Sequence, residues 1–259
     1  MNILTLLLSI SILEENNMTF QKGLFKDQIV VVTGGGSGIG RKIAETFAKY
    51  EAKVYVLDKN LEKLTDLDPN LNIIPTEVDV SKDSDVDSFF SKIEKIDVLV
   101  NCAGFTIGKE EFTSKGYCQV MDVNINGSMR TCYAGHEALK KSKHGAIINT
   151  SSMLAIFGSN ASPAYSSKGA INQLTKSLAI KYGAEDIRVN AVAPGWIKTP
   201  LLSGGVNNKD FRESIFSRTP LARFGETNEI ANVVIFLASE AASWVNGAIV
   251  PIDGGYSIM

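Results

Sequence analysis

The chain has few of the residues that build metal centres, disulfide frameworks or nucleic-acid surfaces. Only 2 of its 259 residues are histidine, His136 and His144. Neither stands in a metal-ligand pattern, so no zinc site is expected. The 3 cysteines, Cys102, Cys118 and Cys132, are an odd number with no CxxC spacing, which fits free thiols in a reducing, cytoplasmic compartment. Lysine and arginine (26) nearly balance aspartate and glutamate (28), for a net charge of −2. No basic run occurs, and neither nucleic acid nor an anionic membrane surface is expected as a partner. The apolar stretch Ile3 to Ile12 is far too short to span a bilayer, and it lacks the basic n-region and A-x-A pattern of a secretory peptide. The expectation is a dispensable leader over residues 1–17, an appended segment or a misassigned start, ahead of one domain over residues 18–259. The alternative is a membrane-associating N-terminal helix.

What the chain does have is glycine, 22 residues of it, and the most telling cluster is Thr33-Gly34-Gly35-Gly36-Ser37-Gly38-Ile39-Gly40. Before it, Ile29-Val30-Val31-Val32 is a β-branched run of the kind that forms a fully buried parallel strand. After it, Ile43, Ala44, Phe47 and Ala48 recur at helical spacing, which predicts a helix from about Gly38. Strand, turn and helix aim a helix N-terminus and free backbone N–H groups at whatever lies over the turn, a site suited to a pyrophosphate. A glycine triplet alone is weak evidence; its place between a buried strand and an amphipathic helix makes it specific. Val54-Tyr55-Val56-Leu57-Asp58 is a second strand ending in an acid, about 20 residues further on, where a carboxylate accepts hydrogen bonds from an adenosine ribose. A carboxylate there repels a 2′-phosphate, so Asp58 points to NAD in preference to NADP. The basic neighbour Lys59 pulls the other way, and a strand-end aspartate can also be an ordinary turn residue.

With 44% hydrophobic residues the chain suits one large α/β domain. Strand-like runs at Asn72–Val78, Ile96–Asn101, Ala146–Ser151, Arg188–Ala193 and Ala248–Ile252 alternate with helical patterns around Asp83–Ile93, Tyr117–Lys141, Pro163–Tyr182 and Asn228–Ala238. That alternation predicts a single-domain, Rossmann-like, doubly wound parallel sheet with helices on both faces and ligands at the carboxyl ends of the strands. Thr199–Ala222 reads as an irregular stretch after a strand end, where an active-site lid would sit.

Asn101-Cys102-Ala103-Gly104 closes the fourth strand, Ser151-Ser152 closes the fifth, and Tyr165 and Lys168 begin the helix that follows. In these motifs, with the Thr33–Gly40 turn, Asp79-Val80, Asn124, Pro194-Gly195 with Thr199, and Asp253-Gly254-Gly255, the chain resembles the short-chain dehydrogenase/reductase family from about Phe25 to its C-terminus. The resemblance implies that Ser152 donates a hydrogen bond to a substrate oxygen while Tyr165 exchanges its proton. Lys168 lowers the phenol's pKa and holds the nicotinamide ribose, and Asn124 holds a water that relays protons to Lys168. It also implies a cofactor crevice formed by Gly34, Ser37, Gly38, Ile39, Gly40, Asp58, Asp79, Val80, Asn101, Ala103, Gly104, Pro194, Gly195, Ile197 and Thr199, together with Tyr165 and Lys168. The chemistry is sound: a free phenol, with a pKa of about 10, needs a nearby cation to serve as a base at neutral pH. Met153, Trp196, Leu201, Leu202 and Phe216 are candidates for an apolar substrate pocket, although a lid packed on the core would look the same. The apolar faces of Tyr117–Lys141 and Pro163–Tyr182 resemble the helices through which family members form homotetramers.

One spacing departs from the family. Its lysine follows the tyrosine by four residues, whereas Tyr165-Ser166-Ser167-Lys168 leaves three. On a helix, positions three and four ahead differ by about 100° around the axis. Ser162 and Pro163 have the chemistry of a cap and a first-turn residue, so the shortfall falls where a helix begins, and a first turn distorts more cheaply than a helix middle. The leading expectation is an NAD(H)-dependent oxidoreductase that interconverts a small secondary alcohol and a ketone. One alternative is a 3-oxoacyl-carrier-protein reductase, which the chain resembles in Arg223-Phe224-Gly225 and Asp253-Gly254-Gly255, with Lys140, Lys141 and Lys143 as a partial basic patch for the acidic carrier. The other is a non-catalytic NAD-binding protein, suggested by the short Tyr–Lys spacing.

Overall fold

β-Branched runs separated by amphipathic helices give the layered architecture of the computed structural model, which describes residues 19–158 and 162–259. The expected leader lies outside the described residues. The elements run β1 (Ile29–Thr33), α1 (Gly38–Lys49), β2 (Lys53–Asp58), β3 (Ile73–Glu77), α2 (Asp83–Phe90) and β4 (Val98–Asn101). Next come α3 (Ser114–Met121), a π turn (Asp122–Gly127), α4 (Ser128–Ala134), α5 (His136–Leu139), β5 (Gly145–Thr150) and α6 (Ser166–Gly183). The chain then forms β6 (Ile187–Pro194), α7 (Ser203–Val206), α8 (Lys209–Arg218), α9 (Thr227–Ala238) and β7 (Ile249–Ile252).

Among the described residues seven strands pair in parallel, in the order β3-β2-β1-β4-β5-β6-β7. The chain winds outward from β1 to β3, returns to β4 beside β1, and winds the other way, which creates a switch point between β1 and β4 where ligands bind in such sheets. Alternate residues of each strand face opposite cores. Val30, Val32, Val54 and Val56 pack with Ile43 and Phe47 of α1 and with Ile230, Val234 and Ile235 of α9. Val31, Leu99, Ile147 and Val189 face the other way, onto Phe89 and Phe90 of α2, Leu139 of α5, and Leu178 and Tyr182 of α6. Each fully buried aliphatic side chain contributes about 1.5–3 kcal/mol, so the two layers together fix the sheet.

Two segments differ from the sequence expectation. The single helical pattern over Tyr117–Lys141 is broken into α3, the π turn, α4 and α5. Glycines allow close packing at the breaks: a Cβ on Gly127 would lie 2.8 Å from a methyl of Val80, and one on Gly135 2.9 Å from the Phe90 ring. The irregular stretch Thr199–Ala222 carries α7 and α8. Asn208 caps α8 by accepting from the Phe211 N–H at 3.0 Å, but that helix buries little beyond Ile215, so its apolar period is faint.

Candidate active site

The carboxyl ends of β1, β4, β5 and β6 open onto a cleft of about 450 Å³. Its floor is the glycine turn. Gly34 has φ +65° and donates its N–H to Leu57 O at 2.7 Å. A Cβ there would stand 2.6 Å from Ala103 Cα, and one on Gly40 2.4 Å from Gly34 O, distances that no side chain tolerates. Thr33 ties the two halves of the switch point together, its hydroxyl oxygen accepting from the Cys102 and Ala103 N–H groups at 3.1 Å each. Helix α1 starts over this turn with no side-chain cap bond from Ser37 and no acid in its first turn. Its N-terminal N–H groups and dipole are thus left for an anion.

Asp58 ends β2 on the same wall. Its carboxylate accepts from the Gly36 and Asn60 N–H groups at 3.0 Å each, which fixes its direction and leaves each oxygen a further lone pair. Lys59 and Lys63 also line this wall, with the Lys59 ammonium 5.6 Å from the Phe105 ring centroid. Asp79 and Val80 lie on the cleft as well. The Asp79 carboxylate, however, accepts from the Ser81 N–H at 3.0 Å and the Ser81 hydroxyl at 2.7 Å. Burial pushes this carboxyl up, but those two bonds and the nearby Lys82 and Lys59 hold it below the usual range.

Ser152, Tyr165, Lys168 and Asn124 all line the cleft. Ser152 accepts from the Leu154 N–H at 3.1 Å, so its own O–H remains directed by whatever acceptor enters. Tyr165 ends a 3-10 turn, Pro163–Tyr165, and the α-helix opens only at Ser166; the short Tyr–Lys spacing therefore falls at a junction of two helix types. Lys168 donates to Thr150 O at 2.8 Å, and burial, opposed by the nearby Cys102, lowers its pKa to about 8. The phenol behaves differently from the sequence expectation. Burial first and the Glu111 carboxylate second push the Tyr165 phenol up. Both polar atoms of the Asn124 side chain serve Phe105, accepting from its N–H at 3.0 Å and donating to its C=O at 3.1 Å. A Cβ on Gly104 would stand 3.3 Å from Asn124 Oδ1 and 3.7 Å from Lys168 Nζ, so glycine there keeps these two groups close.

Ala103, Gly104, Pro194, Gly195, Ile197 and Thr199 complete the expected walls. Gly195 explains the Asp253-Gly254-Gly255 motif, because its missing Cβ would stand 2.6 Å from Asp253 Cα. Met153, Trp196, Leu201 and Leu202 form the apolar end. Two expected residues do not reach the cleft. The Asn101 amide points into the sheet, donating to Asn149 Oδ1 at 3.0 Å and accepting from the Thr131 hydroxyl at 2.6 Å, because a buried amide needs partners on both ends. Phe216 packs on Phe224 behind the cleft, with ring centroids 4.9 Å apart. Glu111 escaped sequence reading: nothing in the pair Glu110-Glu111 marks the second acid as buried.

Burial raises the Cys102 thiol and pushes Cys132 up to about 12, so neither is an activated nucleophile. Among the described residues no group of three or more His, Cys, Asp and Glu side chains could hold a metal, and no helix is long and apolar enough to cross a membrane.

A doubly wound sheet with a glycine-rich cradle at its switch point, and a serine, tyrosine and lysine on one cleft, defines a dinucleotide-dependent oxidoreductase. A family model described as enoyl-(acyl carrier protein) reductase matches residues 34–257. The chain belongs to the short-chain dehydrogenase/reductase family, whose members use a nicotinamide cofactor and act on CH–OH and ketone groups. It is similar to a tropinone reductase homologue of Arabidopsis thaliana, 34% identical over 241 residues that cover 88% of this chain and 91% of that protein. Levodione reductase of Leifsonia aquatica is 34% identical, over 90% of this chain and 95% of that one. A solved structure with bound NADP, described as a 2-deoxy-D-gluconate 3-dehydrogenase of Agrobacterium tumefaciens, has 30% identity, covers 90% of this chain and 98% of its own, and gives a TM-score of 0.83.

Proposed function

We propose that this protein interconverts a small secondary alcohol and a ketone with NAD(H), and that at neutral pH it works as a ketone reductase. The observation that carries this reading is the convergence of Ser152 and Tyr165 on the cleft over the glycine cradle. The cradle fits a dinucleotide: Gly34 to Gly40 and the α1 N-terminus would take the pyrophosphate, Asp58 the adenosine ribose, and Lys168 with the Pro194–Thr199 segment the nicotinamide end. When bound, the cofactor supplies or accepts the hydride. The Ser152 hydroxyl donates to the substrate oxygen and holds it beside Tyr165. The phenol, kept protonated by burial and by Glu111, then gives its proton to that oxygen in reduction and takes one back in oxidation. A raised phenol suits donation at neutral pH, whereas oxidation needs the phenolate. Reduction should therefore exceed oxidation at pH 7, and oxidation should climb with pH; a screen of ketones and alcohols with both cofactor redox states measures this directly.

Asp58 supports NAD over NADP, since its fixed carboxylate would face a 2′-phosphate with like charge; the NADP-bound relative and the nearby Lys59 and Lys63 make this the point to measure. Titration should show tighter NADH than NADPH binding, and Asp58→Ala should narrow the preference by roughly tenfold, the worth of about 1.4 kcal/mol, while leaving NADH bound through the cradle. Equal or tighter NADPH binding by the unmodified protein would overturn the assignment.

The homotetramer reading is supported by Tyr133 on α4 and Ile180 on α6, which are 73% and 83% exposed on the two helices concerned. Sedimentation should give four copies, and Ile180→Glu should reduce that number.

A further inference from the structure

Glu111 sits on the 3-10 turn Gly108–Phe112 and is 1% exposed, whereas Glu110 beside it is exposed. A carboxylate is tolerated at such depth only when its oxygens are bonded, and here they are. The Thr106 hydroxyl donates to Oε1 at 2.5 Å, the Ile107 N–H donates to the same oxygen at 2.6 Å, and the Ser162 hydroxyl donates to Oε2. Thr106 and Ser162 both line the cleft. Thr106 and Ile107 belong to the segment that leaves β4, and Ser162 directly precedes the 3-10 turn that ends in Tyr165. One acid thus bridges two walls of the active site, in a family member whose catalytic turn is not a regular α-helix.

We propose that Glu111 is a positioning residue for Tyr165: a buried carboxylate clamp that fixes the short 3-10 turn bearing the phenol against the segment leaving β4. This rests on the reading of Tyr165 as the proton-exchanging group. The clamp compensates for the shortened spacing, because the turn's placement is set by a tertiary contact at Ser162 as well as by the helix behind it. A charged clamp also acts on the phenol through space. Glu111 from the β4–α3 segment is the charged neighbour of Tyr165, and Lys168 on α6 and Cys102 at the end of β4 line the same cleft. Tyr117 of α3 is engaged with Ser166, Oη to Oγ 2.8 Å. Of these, Glu111 is the one that pushes the phenol up. Lys109 and Glu110, on the same turn as Glu111, are exposed.

Glu111→Gln preserves the shape and most of the hydrogen bonds but removes the charge. It should shift the acidic limb of the kcat/KM profile for alcohol oxidation to lower pH. Glu111→Ala removes the clamp itself and should lower kcat on the order of a hundredfold, the scale of a 1 Å misplacement, with KM for NADH little changed. A merely structural glutamate would lower stability in both variants and leave the limb in place. Ultraviolet difference titration of the tyrosines, taken against Tyr165→Phe, reads the same phenol without any substrate, and Glu111→Gln should lower its midpoint. Unmoved midpoints together with an unchanged kcat in Glu111→Ala would overturn the clamp. Undiminished turnover in Tyr165→Phe would instead overturn the reading on which it rests.

Discussion

Tyr165→Phe is expected to lower kcat roughly 10²–10⁴-fold in both directions, the usual contribution of a positioned acid or base, while NADH binding stays almost unchanged. The asymmetry follows from the site. Tyr165 reaches the cleft from a 3-10 turn and is positioned by Ser162 and the turn behind it, whereas the glycine cradle and Asp58 lie across the cleft and do not depend on the phenol. A companion variant tests the spacing. Inserting one serine between Ser166 and Ser167 restores the family's interval and rotates Tyr165 relative to Lys168 by about 100°. With burial and Glu111 pushing the phenol up, an insertion that brings the Lys168 ammonium to the family's position should raise alcohol oxidation at neutral pH and move its acidic limb downward. Destruction of an existing activity by the insertion would show that the helix has already accommodated the shorter interval. An unmodified protein that binds NADH but turns over nothing, and is rescued by the insertion, would be a non-catalytic binder.

Lys168→Ala should weaken NADH binding and lower kcat by about tenfold or more each, because loss of a charge-assisted hydrogen bond is worth about 1.5–3 kcal/mol. A second signature follows from burial. The ammonium is buried on Thr150 O and its pKa is lowered to about 8. A folded value below the unfolded one means that the unfolded chain binds more protons across the interval between them. The penalty of burying the charge is therefore fully present below about pH 8 and is relieved as pH rises toward the ordinary lysine value. Cofactor-free protein should gain stability, on the order of a few kcal/mol, between those limits relative to Lys168→Met. Parallel pH dependences of melting in the two proteins would show that Lys168 stays solvated.

Much of this was legible in the sequence, for identifiable reasons. Ile29-Val30-Val31-Val32 is buried on both faces, so its continuous apolar run announces a central parallel strand whatever the rest does. The Gly34–Gly40 turn is dictated by backbone approach, and Gly34 and Gly40 stand where any side chain would collide with Ala103 or with the turn itself. What was hidden depends on contacts between distant segments. The amide of Asn101 turns toward Asn149 and Thr131 rather than the cleft, and which way a strand-end side chain points is decided by the neighbouring strand. Phe216 has the composition of a pocket residue but packs on Phe224. Glu111 has no local signature at all, since its partners Thr106 and Ser162 lie on two different segments.

The π turn at Asp122–Gly127 has a consequence beyond holding Asn124 against Phe105. Such a turn carries one residue more than the α-helical turn it replaces, and it packs against α6, whose first turn carries the three-residue interval between Tyr165 and Lys168. Backbone register therefore matters at this site as much as side-chain identity does. A single-codon deletion within 122–127, or a single-codon insertion after Tyr165, would each turn a whole wall by about 100°.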